Sequence, residues 1–366
     1  MTNRSLTFNK EVYRLRLAIT TNCILRCRYC FVRKNNKVIS YPVAAKAINL
    51  FLRSPGEEKL LMIYGGEPLL YFTLLKNIII FARKKANQLG KSLIISVGTN
   101  GILLTKTQLD FLRKTNTKLA ISIDGQKKFH DKARVFPSGS GSFDYIFNKL
   151  PLIFEKTENE NLCALVGVLP SVAVRMYENL IYLVKLGFKS INIEPIEHSR
   201  FKWNLDYQKA FVINMVNFSR FMFKNIHHGN FIFLNSVTRE IKRRGLSNKK
   251  DICPFFRNLE IYPSGEMAFS PLLLNSEDKN QYVIGNVKKG LSEKYGKCVF
   301  SLNDKNCMNC WQNYLNDQNQ TFWNSEKILK WRNEYSVYLC QKILTSAKKY
   351  PLFQKYIKEA KKRIFE

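Results

Sequence analysis

The sequence predicts an α/β fold built on a parallel sheet, either doubly wound or curled into a barrel. Three observations carry that expectation. Six short runs rich in β-branched residues recur at 13–20, 59–64, 92–98, 118–123, 163–169 and 189–194. Amphipathic stretches lie between them, for example 71–89 and 175–186, the second placing Leu180, Leu183, Val184 and Leu186 near helical spacing. Gly90 and Gly187 stand just past the ends of these two stretches, where a left-handed cap residue is wanted. Six strand–helix repeats imply parallel pairing with right-handed crossovers, and a working site at the carboxyl ends of the strands.

The pattern changes past residue 200. Residues 204–226 read as a long helix, and 239–250 as a basic linker of low hydrophobicity. Residues 251–320 hold four cysteines, the turn Pro263-Ser264-Gly265 and little periodicity, so this piece needs a staple. Helix returns from 324 to 365. The division expected is an N-terminal extension (1–12), a core domain (13–230), a small auxiliary domain (231–323) and a C-terminal helical segment (324–366).

The 366 residues suit one large domain and a smaller one, and 45% apolar with 13% aromatic content excludes global disorder. Lys and Arg number 59 against 28 Asp and Glu, a net charge of +31 that speaks of anionic partners or solubility rather than of fold. A coding bias toward Asn, Lys and Ile would inflate that charge without functional meaning. No segment reaches the ~20 apolar residues of a bilayer span, and the polar amino terminus lacks the apolar centre of a signal peptide. A soluble, cytoplasmic protein without a membrane is expected. Nine cysteines in a reducing compartment are then chemistry rather than a disulfide framework.

The first strand runs straight into Cys23-Ile24-Leu25-Arg26-Cys27-Arg28-Tyr29-Cys30, a C-x3-C-x2-C pattern on a loop. Three thiolates so close can hold three corners of a 4Fe–4S cubane, leaving one iron open for a chelating ligand. A zinc site more often uses four ligands in pairs, and unrelated thiols are the blander reading. Further motifs end the following strands: Tyr64-Gly65-Gly66-Glu67-Pro68, Gly98-Thr99-Asn100-Gly101 and Ser122-Ile123-Asp124-Gly125. His130-Asp131-x2-Arg134 and Gly139-Ser140-Gly141-Ser142-Phe143-Asp144 follow. Singly, each is a turn. Together and in this order, over about residues 13–200, they resemble the radical S-adenosylmethionine (SAM) superfamily, whose core is a partial (β/α)6 TIM-like barrel.

The resemblance implies roles residue by residue. Cys23, Cys27 and Cys30 ligate the 4Fe–4S cluster, whose open iron takes the amino nitrogen and carboxylate of SAM. Gly65, Gly66 and Glu67 meet the methionyl amino group, with Glu67 either accepting from it or bracing the turn. Ser122 and Arg134 hold the methionyl carboxylate, Asn100 reaches the ribose or caps a turn, and Tyr29 lies beside adenine. Cleavage of SAM then yields a 5′-deoxyadenosyl radical that abstracts hydrogen from substrate.

The Ser-Ile-Asp-Gly and Gly-Ser-Gly-Ser-Phe-Asp stretches narrow the resemblance to the branch of ribosomal-peptide maturases and anaerobic sulfatase maturases. Their auxiliary domain is called SPASM with two clusters and twitch with one. Here eleven residues separate Cys253 from Gly265, Ser270 stands where a second cysteine belongs, and Cys307 and Cys310 form C-x2-C. Asn316 and Gln320 replace two later thiolates, and Gly285-Asn286-Val287 resembles the family's Gly-Asn turn. The resemblance therefore implies a second, iron–sulfur-stapled domain holding one auxiliary cluster on Cys253, Cys307 and Cys310. Ser270, Cys298 or Cys340 is a fourth ligand, or the fourth iron is open; loss of the cluster is the alternative. Cys163 reads as a small buried hydrophobe.

The function implied is side-chain modification of a ribosomally made precursor peptide, by oxidative carbon–carbon or thioether crosslinking. Epimerisation, with Cys298 or Cys340 as hydrogen donor, is the alternative. Formylglycine formation in a sulfatase is weaker, because Pro271 follows Ser270 where a basic Asp belongs. Expected partners are the peptide with an acidic leader, an electron donor such as flavodoxin or ferredoxin, and a separate leader-recognition protein. About a dozen residues before the first strand are too few for a fused recognition domain. The basic 239–250 stretch and Lys355, Lys358, Lys361, Lys362 and Arg363 suit such a leader or form a solvated face, and no nucleic-acid motif appears. Glu197, His198 and Tyr207 follow the sixth strand and are placed to face substrate.

Overall fold

The computed structural model describes residues 8, 11–196, 200–243, 257–270, 280, 282–292, 323–363 and 365. The strand–helix alternation is present throughout the first two hundred residues. β1 (Arg14–Thr20), β2 (Glu58–Gly65), β3 (Ser92–Thr99), β4 (Thr117–Ser122), β5 (Leu162–Val168) and β6 (Ser190–Pro195) pair in parallel and in sequence order. Between them run α1 (Tyr41–Arg53), α2 (Phe72–Gln88), α3 (Lys106–Lys114), three short helices α4 (Lys127–His130), α5 (Phe143–Phe147) and α6 (Leu150–Lys156), and α7 (Met176–Leu186). α8 (Leu205–His227) follows, and β7 (Phe233–Leu234) adds a short parallel edge to β6.

Each boundary has a local cause. Pro42 opens α1, whose Val43, Ala44, Ala47, Ile48 and Phe51 are buried along one face. Thr105 and Gln108 form a capping box on α3. Gly187, at φ 119°, ends α7 in the left-handed conformation that its lack of a side chain allows. On the strands, Leu15, Leu17 and Ile19 join the core shared with α1 and α2, while the alternating Arg14, Arg16 and Ala18 take the other face. That other face is polar yet sheltered, with Arg14, Ser96, Lys118, Asn192 and Glu260 all buried.

Two sequence expectations need correction after residue 230. The basic stretch at 239–250 is not a linker from its start: α9 (Asn235–Arg243) occupies it to 243, because Val237 and Ile241 reach the core and Thr238 is buried beside them. Residues 257–270 and 282–292 are more regular than their weak periodicity indicated. β8 (Asn258–Ile261) pairs in parallel with β1 on the edge opposite β2, and β9 (Glu266–Ala268), β10 (Gly285–Asn286) and β11 (Gly290–Leu291) continue antiparallel. One eleven-stranded sheet thus runs across the expected junction at 230/231. Gly265, at φ 82°, makes the β8–β9 turn, and Asn286 Nδ2 donates to the Ser264 carbonyl at 3.2 Å.

The C-terminal helices are α10 (Trp323–Ala347) and α11 (Pro351–Ala360). Arg332 on α10 donates to the Ile193 carbonyl at 2.9 Å and to Glu194 at 2.5 Å, fastening the helix to β6. Past α11, Arg363 reaches the Asn159 carbonyl at 2.6 Å, and Lys118 donates to the Lys362 carbonyl at 2.9 Å. The tail past α11 therefore lies at the amino ends of β4 and β5, whereas Arg332 ties α10 nearer the carboxyl end of β6. Among the described residues no helix is long and apolar enough to cross a membrane. Cys253, Cys298, Cys307 and Cys310, with Glu197 and His198, lie outside the described residues.

Candidate active site

The loop after β1 carries the three cysteines and is fastened on every side. Thr21 N–H donates to the Lys37 carbonyl at 2.8 Å and Ile39 N–H to the Ile19 carbonyl at 2.9 Å, closing the loop at its base. Arg26 and Arg28 donate their backbone N–H to Val135 and Ala133 at 2.7 and 2.8 Å. Cys23, Cys27 and Cys30 are all half-buried. Leu25 N–H approaches Cys23 Sγ at 3.4 Å, Lys34 Nζ lies 3.3 Å from Cys30 Sγ, and Asn100 Nδ2 lies 4.0 Å from Cys23 Sγ. Cys27 and Cys30 line an open cavity of about 490 Å³ with Arg26, Arg28, Lys34 and Arg200 at its rim.

Burial raises the Cys23 thiol and pushes Cys27 up to about 11, with Cys30 adding to both rises. Left alone, such thiols keep their protons; a positively charged metal body reverses that preference. Among the described residues no three His, Cys, Asp or Glu side chains converge on a single-ion position. The three sulfurs, with N–H donors beside Cys23 and Cys30, fit a body of several irons, each taking one thiolate.

Gly65 and Gly66 let β2 and the cysteine loop approach closely. A Cβ on Gly65 would stand 2.2 Å from the Thr20 carbonyl oxygen, and one on Gly66 2.0 Å from the Asn22 carbonyl oxygen. The bare backbone lets Gly66 N–H donate to Thr20 and Glu67 N–H to Asn22, both at 2.7 Å. Of the two roles open to Glu67, the geometry shows the brace. Its carboxylate is fully buried and accepts from Thr99 Oγ1 at 2.6 Å, Asn100 N–H at 2.8 Å and Leu69 N–H at 3.1 Å. Burial raises its pKa and these donors offset part of that rise. Asn100 caps a turn, its Oδ1 accepting from Ile102 N–H at 3.0 Å, while its amide nitrogen turns to Cys23.

The opposite wall centres on Asp124, which in the sequence is one member of the Ser122-Ile123-Asp124-Gly125 turn motif. Its Oδ2 accepts from Tyr29 Oη at 2.6 Å and Arg134 Nε at 3.0 Å, and its Oδ1 from Gly167 N–H at 2.8 Å. One carboxylate so joins the cysteine loop, β5 and the Arg134 side chain. Tyr29 lies with its ring 5.3 Å from the Arg134 guanidinium. Burial alone would lower the Arg134 pKa, but Asp124, Tyr29 and Cys27 hold it raised and the group charged. Its two outer nitrogens have no acceptor among the described residues, and neither does the half-buried Ser122 hydroxyl. The visible signal for Asp124 was its place one residue past Ile123, at the carboxyl end of β4.

Other expected site residues are not brought here. Cys340 is fully buried in the core beside Tyr356, whose hydroxyl bonds the Ile232 carbonyl under the amino end of β7. That position rules it out as a hydrogen donor at the opposite end. Cys163 is a fully buried member of β5 and Ser270 is buried just past β9. Tyr207 stands in the first turn of α8, where its N–H is capped by Asn204.

Residues 17–148 match the model of the Radical SAM superfamily. The cysteine-type anaerobic sulfatase-maturating enzyme of Clostridium novyi is 27% identical over 162 residues, 40% of this chain and 42% of that one. Matches to curated relatives span 36 to 62% of their lengths, so the chain covers about half or less of the proteins it is similar to. The solved structure of native anSMEcpe with bound AdoMet superposes with TM-score 0.68 at 14% identity, over 90% of this chain and 99% of that one. SuiB of Streptococcus suis, bound to precursor peptide SuiA, gives 0.56 at 14% identity over 74% and 62%. With the cysteine loop, the double-glycine turn and the six parallel strands in place, residues 17–148 of this chain are similar to the Radical SAM superfamily, whose enzymes use a 4Fe–4S cluster and S-adenosylmethionine.

Proposed function

We propose that this chain cleaves SAM at a cluster held by Cys23, Cys27 and Cys30 and modifies side chains of a ribosomally made precursor peptide. One observation carries the reading. The three-cysteine loop is clamped at the carboxyl end of β1, between the Gly65-Gly66 turn and the Asp124–Arg134 pair. Cys23, Cys27 and Cys30 would hold the cluster, which would supply one electron for cleavage of SAM to methionine and a 5′-deoxyadenosyl radical able to take hydrogen from a C–H bond.

The chain's own part is binding, orientation and exclusion of water. Arg134 presents its outer nitrogens and Ser122 its hydroxyl to the methionyl carboxylate, a match of fork to anion. Asp124 keeps that guanidinium aimed and ties it to Tyr29 on the cysteine loop, so the cluster side and the SAM side share one anchor. Glu67 acts from the interior, holding Thr99 and Asn100 in place. Asn100 and Tyr29 then line the nucleoside side. Cys253, Cys307 and Cys310 are proposed to hold a second cluster, supported by their spacing and by the β8–β9 turn at Gly265.

A peptide substrate is supported by the sulfatase-maturating relative and by the peptide-bound SuiB neighbour, and oxidative crosslinking is the reaction proposed. An acidic leader would suit the net charge of +31. Anaerobic protein given SAM and dithionite is expected to release 5′-deoxyadenosine, measured by liquid chromatography with mass spectrometry. Cys23→Ala, Cys27→Ala and Cys30→Ala together abolish it; release by that triple variant would overturn the assignment. With a precursor peptide added, crosslinking removes two hydrogens from its mass, whereas uptake of deuterium from heavy water would mark epimerisation instead.

A further inference from the structure

Four residues beside the cysteine loop close a ring of hydrogen bonds in which every donor is fixed by its neighbour. Asp124 N–H donates to His130 Nδ1 at 3.3 Å, so the imidazole carries its proton on Nε2. Nε2 then faces Ser142 Oγ at 3.1 Å, and the Ser142 hydroxyl gives its single proton to the Arg134 carbonyl at 2.7 Å. Arg134 Nε returns to Asp124 Oδ2 at 3.0 Å. Asp124, His130, Ser142 and Arg134 are 4, 1, 1 and 8% exposed, so water does not replace a missing member. Burial, with the charges of Arg134 and Lys127, holds His130 well below its usual pKa and therefore neutral, the one form that completes the ring.

The ring grips Arg134 at two points. Its main chain is held through Ser142 and His130, and its side chain at Nε through Asp124. Only the two outer guanidinium nitrogens are left without an acceptor among the described residues. A long, flexible cation thereby becomes a fork fixed at one place.

We propose that His130 and Ser142 are positioning residues that fix the Arg134 guanidinium for a ligand carboxylate. This rests on the reading of Arg134 as the partner of the methionyl carboxylate. It extends that reading to two residues that touch neither SAM nor the cluster. Such a role separates carboxylate-bearing ligands from those without one, which a merely structural ring would not do.

The test uses anaerobically reconstituted Ser142→Ala, with Ser142→Thr as the conservative variant and His130→Gln as the second probe of the ring. Dissociation constants are measured for SAM and for 5′-methylthioadenosine, which lacks the carboxylate, alongside iron content per chain. Ser142→Ala is expected to keep wild-type iron, weaken SAM about tenfold and leave 5′-methylthioadenosine unchanged, with Ser142→Thr restoring SAM affinity. His130→Gln decides in the same way should Ser142→Ala not fold. Equal weakening of both ligands, loss of iron in step with SAM affinity, or unchanged SAM affinity would each overturn the proposal. A wild-type protein that binds 5′-methylthioadenosine as tightly as SAM would instead overturn the reading of Arg134 itself.

Discussion

Gly66→Ala is expected to unseat the cysteine loop and strip the protein of iron. The added Cβ would lie 2.0 Å from the Asn22 carbonyl oxygen, a main-chain atom that no rotamer change can move aside. Relief requires β2 and the residues before Cys23 to part, which breaks the Glu67–Asn22 and Gly66–Thr20 hydrogen bonds. Overpacking and two lost bonds in a buried turn together cost about 3 kcal/mol or more. Gly139→Ala is the comparison. Its φ is positive, at 87°, and an added Cβ meets nothing, so only a backbone cost of about 1 kcal/mol applies. Urea midpoints and iron per chain measure both effects. A Gly66→Ala protein with wild-type iron and stability would show that the close approach is not needed.

Asp124→Ala is expected to be the most destabilising single change on the other wall. It strands the Arg134 cation, whose side chain is 10% exposed against 3% for Asp124, and orphans the Tyr29 hydroxyl and Gly167 N–H. Removing one partner of a buried pair costs about 3–5 kcal/mol, much of it the penalty of the charge left behind. Asp124→Ala with Arg134→Met should therefore be more stable than Asp124→Ala alone, while SAM binding is lost in both. If the double variant is the less stable of the two by denaturant unfolding, the destabilisation does not come from the stranded cation.

The sheet was legible where short-range pattern decides it. Each of the six parallel strands falls within a residue or two of its β-branched run, and the left-handed cap at Gly187 is where a glycine after a helical stretch places it. β8 was not legible, because four residues gain their strand character only by pairing with β1, Arg14 against Asn258. α9 was misread for the opposite reason: its basic residues outweigh the few apolar positions, Val237 and Ile241, that hold it to the core. In the site, the cysteine spacing and the motif order were local and readable. The service of Gly65 and Gly66 to Thr20 and Asn22, and the gathering of Tyr29, Arg134 and Gly167 on Asp124, are contacts across the fold. A single sequence does not carry them.

Whether Cys23, Cys27 and Cys30 hold an iron–sulfur cluster is decided by counting metal. After anaerobic reconstitution and desalting, iron and acid-labile sulfide per chain are compared between the wild type and the triple Cys→Ala variant. The variant is expected to hold about four fewer irons and four fewer sulfides than the wild type, whatever the C-terminal cysteines retain. Equal iron and sulfide in the two proteins would contradict the assignment of the cluster to this loop.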